Sequence, residues 1–198
     1  MDGPKAYLAG PEVFLRDWIA LVERKMAICA AVGLRGVSPV DSEPPGAPVS
    51  DLERAMAISR GNEAVMDGCD LIIANMTPFR GPSADAGTCY EIGYMRAQGK
   101  PVFAYTNTAA TYLERVERFY DGALDRRPDA GRIEDPTRMA VEDFGLLDNL
   151  MLEGAVRSSA PEAAICAADA PADTLFEDLE AFKDCVALAA RIMGLTRR

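Results

Sequence analysis

Residues 71–105, LIIANMTPFRGPSADAGTCYEIGYMRAQGKPVFAY, decide the fold. Leu71 to Ala74 is an apolar run of strand length. Thr77 to Ser83 holds Pro78, Gly81 and Pro82 and is irregular. Asp85 to Gln98 has helical patterning, stopped by Gly99 with Pro101 just beyond, and Val102 to Tyr105 is again a strand. A strand, a helix and a second strand within this length require a crossover, so the two strands are parallel.

The same unit repeats toward the N-terminus. Lys5 to Ala9 is a strand that runs into Gly10-Pro11. Trp18, Val22, Met26, Cys29 and Val32 recur every three or four residues up to Gly33, which predicts a helix with a glycine stop. Leu34 to Val40 is a second strand, and Asp41 to Val49 is a loop with four prolines or glycines. Ser50-Asp51-Leu52-Glu53 has capping-box spacing and opens a helix to about Asp67. The expected architecture is α/β, a parallel sheet with helices on both faces, whose ligands sit beyond the carboxyl ends of the strands.

Toward the C-terminus the pattern loosens. Thr111 to Tyr120 and Asp148 to Val156 read as helices, residues 121–136 as a charged surface insertion, and 158–171 as ambiguous. Thr174-Leu175-Phe176-Glu177 has the spacing to cap a last helix over residues 174–193. At 198 residues one domain covering 1–198 is expected, because a chain of this size hides about 70% of its unfolded surface around one core.

Composition narrows the chemistry. With 21 basic and 31 acidic residues the net charge is −10, which gathers neither phosphate backbones nor anionic lipid, so neither nucleic acid nor membrane is an expected partner. There is no histidine, which removes imidazole bases, Ser-His-Asp and Cys-His pairs, and every His-ligated metal site. The five cysteines form no C-x-x-C, so they read as reduced thiols of a cytoplasmic protein, with no metal and no cofactor called for. The remaining reactive groups are carboxylates, hydroxyls, amides and thiols.

Asp85 and Glu91 flank the start of the helix at the mouth of the sheet, with Gly87 between them letting a ligand approach the backbone. Spacing alone leaves two roles open. Asp85 is a good N-cap and Thr88 to Glu91 has capping-box spacing, so both acids serve equally well as helix caps. As a catalytic pair without histidine they suit cleavage of a glycosidic bond, one acid attacking the anomeric carbon and the other assisting the leaving group.

Four motifs in order carry a resemblance: Tyr7-Leu8-Ala9-Gly10-Pro11-Glu12-Val13-Phe14; Cys69-Asp70-Leu71-Ile72-Ile73-Ala74-Asn75; Asp85-x-Gly87-Thr88-x-x-Glu91-Ile92-Gly93-Tyr94 with Gly99-Lys100-Pro101; and Asn149-Leu150-Met151. Together they resemble nucleoside 2-deoxyribosyltransferases over residues 5–106 and a short segment near 149. The resemblance implies a doubly wound, flavodoxin-like sheet of about five strands. It implies that Glu91 attacks C1′ of a 2′-deoxyribonucleoside, that Tyr7 orients Glu91, and that Asp85 protonates the departing base. Gly10, Phe14, Asn62, Gly87, Asn149 and Met151 would bind substrate. Asn149 would come from a neighbouring subunit, so a homodimer or higher homo-oligomer with shared sites is expected, with deoxynucleosides and nucleobases as small-molecule partners. Asn149 also suits an N-cap.

One position departs from the family pattern: some members carry an aspartate eight residues before the Asp that opens the third strand, and here it is Asn62. An amide donates and accepts but holds no proton for a leaving group. Two alternatives stay open. A deoxynucleoside 5′-monophosphate N-glycosidase shares the Glu and Tyr but calls for a Gly/Arg/Ser-rich loop after the first strand, where Pro11-Glu12-Val13-Phe14 is apolar with one acid and Arg16 is the nearby cation. A non-catalytic nucleotide-binding module would use Asp85 and Glu91 as caps alone, although no P-loop signature is present.

Overall fold

The computed structural model describes residues 3–39, 50–127 and 131–195; the loop expected over 41–49 lies outside them. Five parallel strands form the main sheet: β1 (Lys5–Ala9), β2 (Arg35–Val37), β3 (Leu71–Asn75), β4 (Val102–Thr106) and β8 (Cys166–Ala167). Their order is β2-β1-β3-β4-β8, the doubly wound arrangement that the repeated strand–helix units anticipated. The strand order reverses direction between β1 and β3, so a crevice opens beyond their carboxyl ends.

Side chains alternate across these strands and build two cores. Ala6, Leu8, Leu71, Ile73, Phe103 and Tyr105 pack on one face against α1 (Trp18–Ala31) and α6 (Glu180–Ile192). Tyr7, Ala9, Ile72, Ala74, Val102 and Ala104 point to the other face, against α3 (Ala86–Ala97), α5 (Leu150–Arg157) and Met66 near the end of α2 (Asp51–Asp67). Both faces being covered explains why β3 and β4 read as unbroken apolar runs. Gly33 (φ 84°) and Gly99 (φ 73°) end α1 and α3 in a backbone conformation that suits glycine. No helix of the described residues is long and apolar enough to cross a membrane.

Two expectations are corrected, and one segment left open takes a place in the sheet. The last helix starts at Glu180, not at 174: the Thr174 hydroxyl turns back to the Pro171 carbonyl and only the Thr174 carbonyl receives the Glu177 amide, so a 3-10 turn over Ala172–Thr174 uses the capping-box residues. The region expected as an insertion over 121–136 follows α4 (Tyr112–Phe119) and extends to Val141 as an antiparallel sheet of β5 (Asp125–Arg127), β6 (Arg132–Glu134) and β7 (Ala140–Val141). The ambiguous 158–171 segment supplies β8, the fifth strand.

Candidate active site

β1 carries Tyr7 to the face covered by α3, and there the Tyr7 hydroxyl donates to Glu91 Oε1 at 2.5 Å. Tyr7 is fully buried and stands behind the cavity lining. Burial pushes the Glu91 carboxyl up, the Tyr7 bond pulls it back, and the charges of Asp85 and Glu12 add to the rise; the result is about 7 against an ordinary 4.5. Burial and the facing Glu91 push the Tyr7 phenol far up, so it remains a donor.

Asp85 N-caps α3: its Oδ2 accepts from the Thr88 amide at 3.0 Å and the Thr88 hydroxyl at 3.4 Å. The capping role is therefore real, and it coexists with exposure to the site, since Asp85 and Glu91 line one cavity of about 290 Å³. Gly10, Val13, Phe14, Pro39, Ile58, Asn62, Gly87 and Thr88 complete its wall. A Cβ at Gly87 would stand 3.0 Å from Asp85 Oδ2, so a side chain there crowds the carboxylate. α2 supplies Ile58 and Asn62 one helical turn apart, and is tied to α3 by Tyr90 to Glu63 (2.5 Å) and Tyr94 to Asp67 (2.9 Å). The outer wall is aromatic: Phe14, 59% exposed, stacks on Phe79 at 5.4 Å, and the Arg80 guanidinium lies 5.2 Å and 4.5 Å from their ring centres.

Two expected site residues stand elsewhere. Asn149 N-caps α5, accepting from the Met151 amide at 3.0 Å and donating Nδ2 to Glu142 at 2.7 Å, and Met151 is 72% exposed. Neither lines this cavity.

Residues 6–151 match the sequence pattern of the nucleoside 2-deoxyribosyltransferase family. The chain belongs to that family. A relative from Schizosaccharomyces pombe (strain 972), the uncharacterized protein C191.05c, is 36% identical over 170 residues, 79% of this chain and 78% of its own. The solved 2-desoxiribosyltransferase from Leishmania mexicana has the same fold, with TM-score 0.60 at 24% identity over 95% of this chain and 97% of its own. A 2-deoxyribosyltransferase from Bacillus psychrosaccharolyticus is more distant, at 18% identity and TM-score 0.45 over 73% of this chain and 97% of its own.

For this member of the nucleoside 2-deoxyribosyltransferase family, sequence reasoning missed the wall residues Val13, Pro39, Ile58 and Thr88 and the inward course of Glu12. Thr88 and Ile58 had a signal, since each lies one turn from a residue already singled out, Glu91 and Asn62. Glu12 had none: its partners are 13, 63 and 93 positions away.

Proposed function

We propose that the chain transfers 2-deoxyribose between nucleobases by retaining double displacement at Glu91. The observation that carries this is the Glu91 carboxyl in the cavity wall, anchored at Oε1 by Tyr7 so that the other oxygen is left to attack. In the first step that oxygen bonds to C1′, the C1′–N bond breaks, and its electron pair leaves with the base, which takes a proton from Asp85. In the second a new base nitrogen attacks C1′, its N–H proton passes to Asp85, the ester bond breaks, and Glu91 regains its carboxylate. Two inversions give net retention. Aromatic Phe14 and the Ile58–Asn62 stripe suit a flat base with polar edges. Asn149 and Met151, on the exposed start of α5, serve the pocket of a neighbouring protomer in this reading.

Incubation with deoxyinosine and free adenine tests it: deoxyadenosine should form. Hypoxanthine release that ignores added adenine would make the chain a hydrolase, and no base release would overturn glycosidic chemistry. Asp85→Asn keeps a capping side chain, so it should slow base release at an unchanged melting temperature. A second reading, N-glycosidase action on deoxynucleoside 5′-monophosphates, gains one observation, since Arg80 sets a cation over the Phe14 wall. It predicts faster base release from the 5′-monophosphate than from deoxyinosine.

A further inference from the structure

Directly behind the cavity wall, the loop after β1 folds an acid inward. Glu12 is 3% exposed, and its Oε1 accepts from Lys25 Nζ of α1 at 2.7 Å, Asn75 Nδ2 at the end of β3 at 2.9 Å and the Tyr105 hydroxyl of β4 at 2.7 Å. Asn75 Oδ1 in turn accepts from the Thr77 amide at 2.9 Å. Lys25 is as buried as its partner and lies 4.8 Å from the Phe182 ring centre of α6 and 5.4 Å from that of Tyr105. The fit is close on the loop side too: a Cβ at Gly10 would fall 1.8 Å from Glu12 Oε2 and 2.8 Å from Asn75 Cβ. One carboxylate thus ties the Gly10–Phe14 turn to α1, β3 and β4, and three residues of that turn, Gly10, Val13 and Phe14, line the cavity.

A buried ion pair is a poor source of stability, because desolvating both charges offsets most of their attraction, and an apolar pair of similar volume is often as stable. What the pair supplies is a fixed geometry with directional bonds. We propose that Glu12, clamped by Lys25, Asn75 and Tyr105, is a positioning residue that sets where the Gly10–Phe14 wall meets the substrate. The inference rests on the transfer reading and adds a residue to it. Glu12 also bears on Glu91 through charge. Glu91 is faced by Tyr7 from β1, Asp85 from the start of α3 and Glu12 from the turn after β1; Glu12 is faced by Lys25, Asn75 and Tyr105, and Lys25 by the Cys29 and Cys185 thiols of α1 and α6.

The test compares wild type, Glu12→Gln and the double variant Glu12→Gln/Lys25→Met, reading KM and kcat for deoxyinosine, the pH profile and the melting temperature. Glu12→Gln should raise KM about tenfold with kcat within about threefold, as expected when a binding wall shifts, and should move the acid limb to lower pH because a negative charge near Glu91 is gone. If the single variant does not fold, the double variant decides, since it buries no unpaired charge and should melt at or above wild type while KM stays raised severalfold. Folded variants with wild-type KM and acid limb would overturn the inference, whatever their melting temperature. A wild-type protein that releases no base would instead overturn the transfer reading, and the inference with it.

Discussion

Glu12 and Glu91 are two sheltered carboxylates at the same end of one sheet, and their fates differ. Glu12 turns to the face of α1 and α6, where an ammonium, an amide and a phenol converge on one oxygen. Burial pushes its carboxyl up, but Lys25 and Tyr105 more than reverse this and hold it below the ordinary value. Glu91 turns to the face of α3 with one donor, Tyr7, no cation among the residues that shift it, and two further acids raising it. Burial alone therefore does not make an acid reactive. The supply of donors decides: a carboxylate with its bonds met is held below its ordinary range, and one short of donors is pushed above it.

The largest break in this contrast is Glu91→Gln. An amide neither attacks C1′ nor balances an oxocarbenium ion, so base release should fall by about a thousandfold or more. Stability should move the other way. A carboxyl that titrates near 7 in the fold and near 4.5 unfolded keeps its proton longer when folded, so wild-type stability falls as pH rises from 4.5 through 7. Above 7 the cost is on the order of 3 kcal/mol, and the amide avoids it. Melting curves of variant and wild type should coincide near pH 4 and separate by pH 8, the variant melting higher. A variant that melts lower at pH 8 would show that the Glu91 carboxylate is satisfied after all.

Tyr7→Phe sharpens the contrast by removing the one donor to Glu91 among the described residues. The ionised form of Glu91 loses a charge-assisted bond, its carboxyl rises further, and the acid limb of kcat/KM, placed near pH 7 by the wild-type carboxyl, should move upward. At pH 7 the loss should be about tenfold or more, with part recovered at pH 9. Loss of rate with an unmoved acid limb would mean that Tyr7 does not tune Glu91.

How much of this was legible follows from the distance over which each residue finds its partners. β3 and β4 are buried on both faces, so their sequences are apolar without interruption, and the Ser50 cap appears as read, its hydroxyl accepting from the Glu53 amide at 3.2 Å. Gly10, Phe14, Asn62, Asp85, Gly87 and Glu91 converge on one cavity because the fold brings the end of β1, the middle of α2 and the start of α3 to the switch point. Glu12 read only as the one acid of an apolar stretch, since nothing local announces an ammonium on the next helix and a phenol three strands on. The capping-box spacing at Thr174 misled for the complementary reason: a local pattern only licenses a helix, and the chain between Ala172 and Thr174 closes a tighter turn. β5 to β7 went unread because strands of two or three mostly exposed residues have no alternation to show.

That small sheet offers the smallest effect and a control on the whole comparison. Arg126 of β5 pairs with Glu117 of α4 at 2.9 Å, a distance close to that of Lys25 and Glu12, but the side chains are 53% and 37% exposed. Water already solvates both groups, so the pair gains little when formed and leaves nothing unsatisfied when broken. Arg126→Ala should leave the melting temperature, KM and the acid limb where they are, and raising the salt concentration should not distinguish it from wild type. If it destabilised the protein as much as Glu12→Gln, pair distance rather than burial would govern the charges of this molecule, and the contrast between Glu12 and Glu91 would need another cause.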